Sequence, residues 1–339
     1  MKTQRLTNLD IVKMLACLSI IFHHFQQNTG LVLPYINFYG GGFDWSSTVE
    51  LFFMISGFLA VKTDKPTDKN VVKTFAIKYL RFLVTVVPAG IVAAAAAYAV
   101  YFETGGWLSG VSYTPWKVVK GLLLADRGWF GTDGLTLNNP TWFLSILLFC
   151  FALFYAIKAL CLKYDFLKAR YFYAAAVLIY FLLFRYAGFT YFPFFNPEMY
   201  RGAIPFFIGC ILCDIYSLPK KKLWILRGAA LVLAAVLFKF YRFGGIFLVF
   251  GLYPLIIDIC VDTKQAEGVF ARAAGEISPA AYIWHVPFLQ VIITIAALRG
   301  TYFPVYPATM IGFALFVCLF SWLWHKFCEI PVYAKLKSI

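Results

Sequence analysis

The sequence predicts an all-α membrane protein: about ten transmembrane helices in one bundle, with both termini cytoplasmic. Three observations predict it. The 339 residues are 62% hydrophobic and 14% charged, with a mean hydropathy of +0.76, whereas soluble domains carry about 25% charged residues. The apolar residues are gathered into runs near the roughly 20 residues that cross about 30 Å of hydrocarbon as a helix. The 30 Lys and Arg residues lie mostly between those runs and favour one side. With the N-terminus inside, alternation leaves Lys117, Lys120, Arg127, Arg185, Arg201, Lys239, Arg242 and Arg299 outside and the other Lys and Arg residues inside. A miscounted run would scramble this asymmetry, which is the positive-inside pattern. The net charge of +14 is explained the same way, so the partner is the lipid bilayer and no nucleic acid is expected. Residues 1–339 read as a single transmembrane domain, multi-pass in a bacterial plasma membrane.

The first run, 9–27, has no small-residue cleavage site after it and is read as a span rather than a leader. It carries Asp10, Lys13 and the adjacent His23 and His24. An ionisable side chain at depth costs on the order of 3 kcal/mol on insertion scales, so each one needs a reason. A helix turns about 100° per residue, so Lys13 and His24 nearly share a face, about 16 Å apart along the axis. His24 therefore looks into the bundle with Lys13, while His23 is turned off that line and is given no chemical role.

The second run, 45–62, enters from outside, which puts Glu50 at the depth of His24. Sequential helices usually pack side by side. A carboxylate beside an imidazole fixes its tautomer and raises its basicity. A Glu50–His24 hydrogen bond is the expectation, with a purely structural buried pair as the alternative. Gly57 is read as a packing residue, and Ser56 stays open. The third run, 75–102, is long enough to protrude. Its Lys78 and Arg81 share a face and, with Lys13, form a basic cluster at the inner boundary that suits phosphates. Snorkelling toward anionic headgroups is the competing reading, weaker for the deeper Arg81.

A long outer segment, 103–140, contains DRGWFGTDGLTLNNPTW and precedes the fourth run, 141–161, with Trp142 at its start. The fifth run, 170–188, leads through AGFTYFPFFNPEM to the sixth, 200–217, which carries Arg201, Cys210 and Cys213. Aromatics among turn residues can grip a sugar or form an interfacial belt. The Cys210–Cys213 pair lies inside an apolar run without a second ligand pair, so it is read as packing and no metal is expected. The eight cysteines show no disulfide framework. The seventh and eighth runs, 223–241 and 244–261, are barely separated. The ninth, 278–298, carries His285 just before Pro287, which breaks the helical ladder and frees a carbonyl. His285 either satisfies that break or orients a substrate. The tenth run, 304–327, ends near His325 and Glu329, both expected at the membrane boundary.

Several of these stretches together resemble the acyltransferase-3 family of integral membrane acyltransferases. LDIVKMLACLSIIFHHF resembles the family's first helix, a basic residue followed at a fixed interval by the key histidine, here Lys13 and His24. VELFFMISGFL is similar to its FFxISGFL helix and is the most specific match. KYLRFLVTVVP resembles its basic-x-x-Arg segment, mapping to Lys78 and Arg81. TWFLSILLF, RGAIPFFIGCIL, ISPAAYIWHVPF and CEIP resemble its Trp helix, its Arg…FFxG helix, its late histidine helix and its C-terminal Glu-x-Pro. Glu50 stands where the family often has aspartate, and lysine replaces the common arginine at Lys13 and Lys78, which keeps charge but loses bidentate geometry.

The resemblance implies transfer of an acyl group, usually acetyl, from cytoplasmic acyl-CoA to a hydroxyl of a cell-surface carbohydrate or lipid-linked sugar. It makes His24 the general base with Glu50 orienting it, and Lys13, Lys78 and Arg81 the acyl-CoA site. Trp142, Arg201, His285 and Ser56 become candidates for contact with substrate, Trp142 and Ser56 also for the oxyanion. A charged acyl-His intermediate and direct transfer both remain open. The rival class is a transporter or flippase for a small molecule or glycolipid, which suits ten spans and buried polar groups equally. Such proteins more often show an internal repeat, and none is visible here.

Overall fold

The computed structural model describes residues 5–63, 70–107, 112–128, 136–164, 166–186, 193–216, 244–301 and 303–338, with scattered positions between 217 and 243. The described residues are helical throughout the bundle and contain no strand. Among the described residues, six helices are long and apolar enough to cross a membrane.

Helix α1, Thr7–Thr29, is fastened at its start. Asn8 Nδ2 donates to the carbonyls of Cys260 and Lys264, and Asn8 Oδ1 accepts from the Ala266 amide at 2.9 Å. It stops at Gly30, whose φ of +72° and N–H to the Gln26 carbonyl make a left-handed C-cap. The chain then folds back over this end: buried Gln26 accepts from the amides of Phe38 and Tyr39. Helix α2, Thr48–Thr63, follows a turn whose Ser46 amide is capped by Asp44. Helix α3, Val71–Thr104, spans about 50 Å at 1.5 Å per residue and so overruns the hydrocarbon, as its sequence length predicts. The segment between α3 and the next long helix contains a short helix α4, Pro115–Leu122, capped by Thr114.

Helices α5, Thr141–Lys163, and α6, Ala169–Tyr186, come next. Then α7, Pro197–Ile215, starts three residues before the run read from the sequence: Asn196 Oδ1 accepts from the Met199 amide, and Pro197 takes the first turn. The seventh expected run, 223–241, lies mostly outside the described residues. Helix α8, 244–262, contains a π-helical turn at Leu248–Leu252. Helix α9 is Val269–Leu298. Helix α10, 307–338, runs on past the expected end through a second π-helical turn, His325–Glu329, into Ile330–Ser338.

Two helices act as hubs. α9 is packed by α1, α3 and α10, and α7 by α2, α5 and α6. Small residues set both contacts. A Cβ on Gly57 would run into the Phe206 carbonyl, and one on Gly209 into the Met54 carbonyl, so α2 and α7 touch backbone to backbone. A Cβ on Gly275 of α9 would meet the Asp10 carboxylate of α1. Gly57 therefore does the packing read from the sequence. Large apolar side chains such as Leu15, Ile91, Leu178, Ile311 and Leu319 point outward, costly in water and natural against lipid. All eight cysteines are free.

Candidate active site

The sequence candidates gather into three groups. The first is built on α1 and α9. His24 Nδ1 lies 2.7 Å from His285 Nε2, with the rings stacked at 5.0 Å. His285 is wholly buried, and its Nδ1 lies 3.2 Å from the Ala281 carbonyl. That carbonyl can only accept, so with both rings neutral the proton of His285 is on Nδ1. His285 Nε2 is then a lone pair, and His24 Nδ1 must be the donor to it. His24 Nε2 is left as an unprotonated nitrogen. His23 turns away, donating Nδ1–H to the Phe38 carbonyl at 2.7 Å, a tether for the overlying loop.

Pro287 frees the Ile283 carbonyl of α9, which a helical N–H at position 287 would have filled. His285 does not satisfy it. Asn138 does, donating its buried Nδ2 to Ile283 O at 3.0 Å. The ring of His285 is thereby released to hold His24. The next residue, Asn139, brings its amide Nδ2 to 3.5 Å from His24 Nε2. Sequence reasoning missed both asparagines. Their signal was a carbonyl needing a donor and the polar LNNP just before an apolar helix.

The second group is a cavity of about 350 Å³ between α1, α2, α3, α5 and α9. Lys13, Ser56, Lys78 and Arg81 all line it, as do Tyr282 and Ile283 from the turn that precedes His285. Lys13 is paired with Asp10 at 2.6 Å. Lys78 Nζ sits 3.7 Å over the Phe151 ring and the Arg81 guanidinium 5.4 Å from the Tyr333 ring. Arg81 Nε is buried without a hydrogen-bond partner. Glu329 also lines this cavity, but its Oε1 accepts from Thr85 and its Oε2 faces His325 Nδ1 at 2.7 Å. Glu329 is 4% exposed, buried within the bundle. The π-helical turn and the extra residues of α10 carry it inward beneath α3.

The third group corrects the expected Glu50–His24 pair. Glu50 Oε1 accepts from Arg201 Nε at 2.7 Å, and Arg201 also donates to the Ser46 carbonyl while lying 5.0 Å from the Trp142 ring. The reason is helix packing. The loop from 30 to 47 is long enough for α2 to leave α1 and dock on α7, which carries Arg201, while α1 docks on α9, which carries His285.

Residues 6–325 match the family model of an acyltransferase domain. The chain belongs to the acyltransferase-3 family. No curated protein and no solved structure matches it. Family membership and the apolar helices together make the protein a multi-pass membrane acyltransferase.

Proposed function

We propose that this acyltransferase moves an acyl group, acetyl in the first instance, from acyl-CoA to a hydroxyl of a carbohydrate or lipid-linked sugar in a bacterial plasma membrane. One observation carries the reading. The cavity that holds Lys13, Lys78 and Arg81 ends one helical turn from His285 and hence beside the His24 pair. Its volume, about 350 Å³, is at the small end of ligand sites, which run roughly 300–1,000 Å³. It suits the arm and phosphates of the donor, with the nucleoside at the mouth. The positive-inside count puts that mouth in the cytoplasm and His24 toward the outer face.

His24 Nε2 is the general base that takes the acceptor's proton. His285 fixes the tautomer and orients the ring, the part expected of Glu50. Glu50 instead holds Arg201, and with it the Trp142 face beside the reaction site. Ser56 lines the donor's path.

The test is release of CoA from acetyl-CoA by purified protein, compared with His24→Ala. Release that depends on His24 supports the reading. A rate equal in both proteins, or movement of a glycolipid across the bilayer without CoA release, favours the transporter class.

A further inference from the structure

Acyl transfer passes through a tetrahedral intermediate whose oxygen carries negative charge, and a donor aimed at that oxygen is commonly the largest single catalytic contribution. Among the described contacts, neither residue suggested by the sequence touches His24. Ser56 lies on the wall of the basic cavity, and Trp142 packs against Arg201 and Phe53. The backbone amides of Thr141, Trp142 and Phe143, which open α5 nearest the histidines, are turned back onto the carbonyls of Asn138, Asn139 and Pro140. We propose that the Asn139 side-chain amide is the oxyanion donor of this enzyme. The proposal rests on the acyl-transfer reading above.

Three features carry it. Asn139 Nδ2 stands 3.5 Å from His24 Nε2. That is long for an N–H···O or N–H···N hydrogen bond, whose usual length is about 2.9–3.0 Å, so the amide is adjacent to the base without being committed to it. A hydroxyl held by Nε2 and the carbonyl oxygen of the thioester it attacks are near neighbours, so one donor this close to the base reaches the second while the base holds the first. The backbone that carries the amide is also fixed in advance. Asn138 is locked onto Ile283 O, and the Asn138 carbonyl accepts from the Thr136 and Thr141 hydroxyls at 2.9 and 2.7 Å. The Asn139 backbone is thus held between two anchored neighbours, Asn138 and the start of α5, whose Trp142 amide donates to the Asn139 carbonyl at 3.3 Å.

The acceptor oxygen bonds to the thioester carbon while its proton passes to His24 Nε2. The carbonyl electron pair moves onto oxygen, where Asn139 donates. When that pair returns, the carbon–sulfur bond breaks and the thiolate takes the proton from His24. The products are an ester and CoA thiol, and His24 and Asn139 are restored.

The experiment uses the full-length protein in detergent, acetyl-CoA as donor and octyl glucoside as hydroxyl acceptor, reading thiol release and acetylated glucoside. Asn139→Ala should lower kcat about 10²–10³-fold at every pH. The KM for acetyl-CoA, the midpoint of the pH profile and the melting temperature should hold. Asn139→Gln, which keeps an amide, should recover part of the rate. Asn139→Asp, the same shape without the donor, should stay as low as alanine, and it carries the test if the alanine variant does not fold. A rate for Asn139→Asp within about threefold of wild type would overturn the assignment, since loss of a true oxyanion donor is far larger. A moved pH midpoint in Asn139→Ala overturns it too, because Asn139 would then act through His24; the aspartate variant is read for rate alone, since its carboxylate shifts the His24 pKa by charge. If wild type is active and His24→Ala silent while the Asn139 variants stay fast, the Asn139 assignment alone fails. If wild type is no faster than His24→Ala, the acyl-transfer reading fails and takes this inference with it.

Discussion

Arg81 and Arg201 are both guanidiniums set among buried helices, and the fold treats them in opposite ways. Arg201 is engaged by the chain: Nε donates to Glu50, Nη2 to the Ser46 carbonyl, and Trp142 lies over its face. Arg81 faces a cavity with Nε unpartnered, and the carboxylate on the same wall, Glu329, is already held by Thr85 and His325. A buried donor left unmade costs about 1–3 kcal/mol. The fold bears such a cost in both places, but on opposite partners: at Arg81 the guanidinium Nε itself is unmade, whereas at Arg201 the Nε is taken and the unpartnered atom is the carboxylate's Glu50 Oε2. Under the proposed function, Arg201 is a positioning residue and the unpartnered Arg81 Nε is the donor offered to the phosphates of acyl-CoA.

The largest expected effect separates both regions from the chemistry between them. As general base, His24 should contribute about 10²–10⁴ in rate, so His24→Ala should abolish measurable transfer. Its melting curve and its affinity for CoA should be retained. If CoA binding collapses as well, the donor cavity and the histidine pair are not separate units.

Next in size is Arg81→Ala. Hydrogen bonds to charged groups are worth about 1.5–3 kcal/mol, roughly 10- to 150-fold. The mutant should therefore bind CoA at least tenfold more weakly in calorimetry, with a melting temperature unchanged or slightly raised. Unchanged affinity would remove Arg81 from the donor site and erase the contrast with Arg201.

Glu50→Gln should do the reverse. It leaves Arg201 without its carboxylate, for a loss of about 1–3 kcal/mol in stability, seen as a lower melting temperature. Affinity for CoA should stay as in wild type. A Glu50→Gln protein that melts normally but cannot bind donor would invert the comparison. The smallest effect belongs to His23→Ala. Its only polar contact described is the tether to Phe38 O, so activity should stay within about threefold of wild type, in the range of surface substitutions. A dead but folded His23 variant would mean that the helical face of α1 has been misread.

Much of this was legible along the chain. The face shared by Lys13 and His24, the outward turn of His23, the common face of Lys78 and Arg81 and the tight approach at Gly57 all follow from helical periodicity. Glu50 and His285 were correctly singled out as buried polar residues needing partners. The partner of Glu50 was misassigned, because α2 touches α1 near Thr48 but packs chiefly on α7; His285 turned out to hold His24 rather than the carbonyl that Pro287 frees. The asparagines went unnoticed because their role depends on a carbonyl that Pro287 exposes on a helix 145 residues further along.

The sequence by itself determined what is local: the composition that demands a bilayer, the helices, and the face on which each polar side chain sits. Those depend on a fixed 3.6-residue repeat and on the cost of taking polar groups into hydrocarbon. Only the tertiary structure decided which faces meet. The choice of α9 for α1 and α7 for α2 rests on backbone contacts at Gly275, Gly57 and Gly209 between segments distant in the chain. That docking gave His24 an imidazole instead of a carboxylate, and Arg201 the carboxylate that His24 was expected to have.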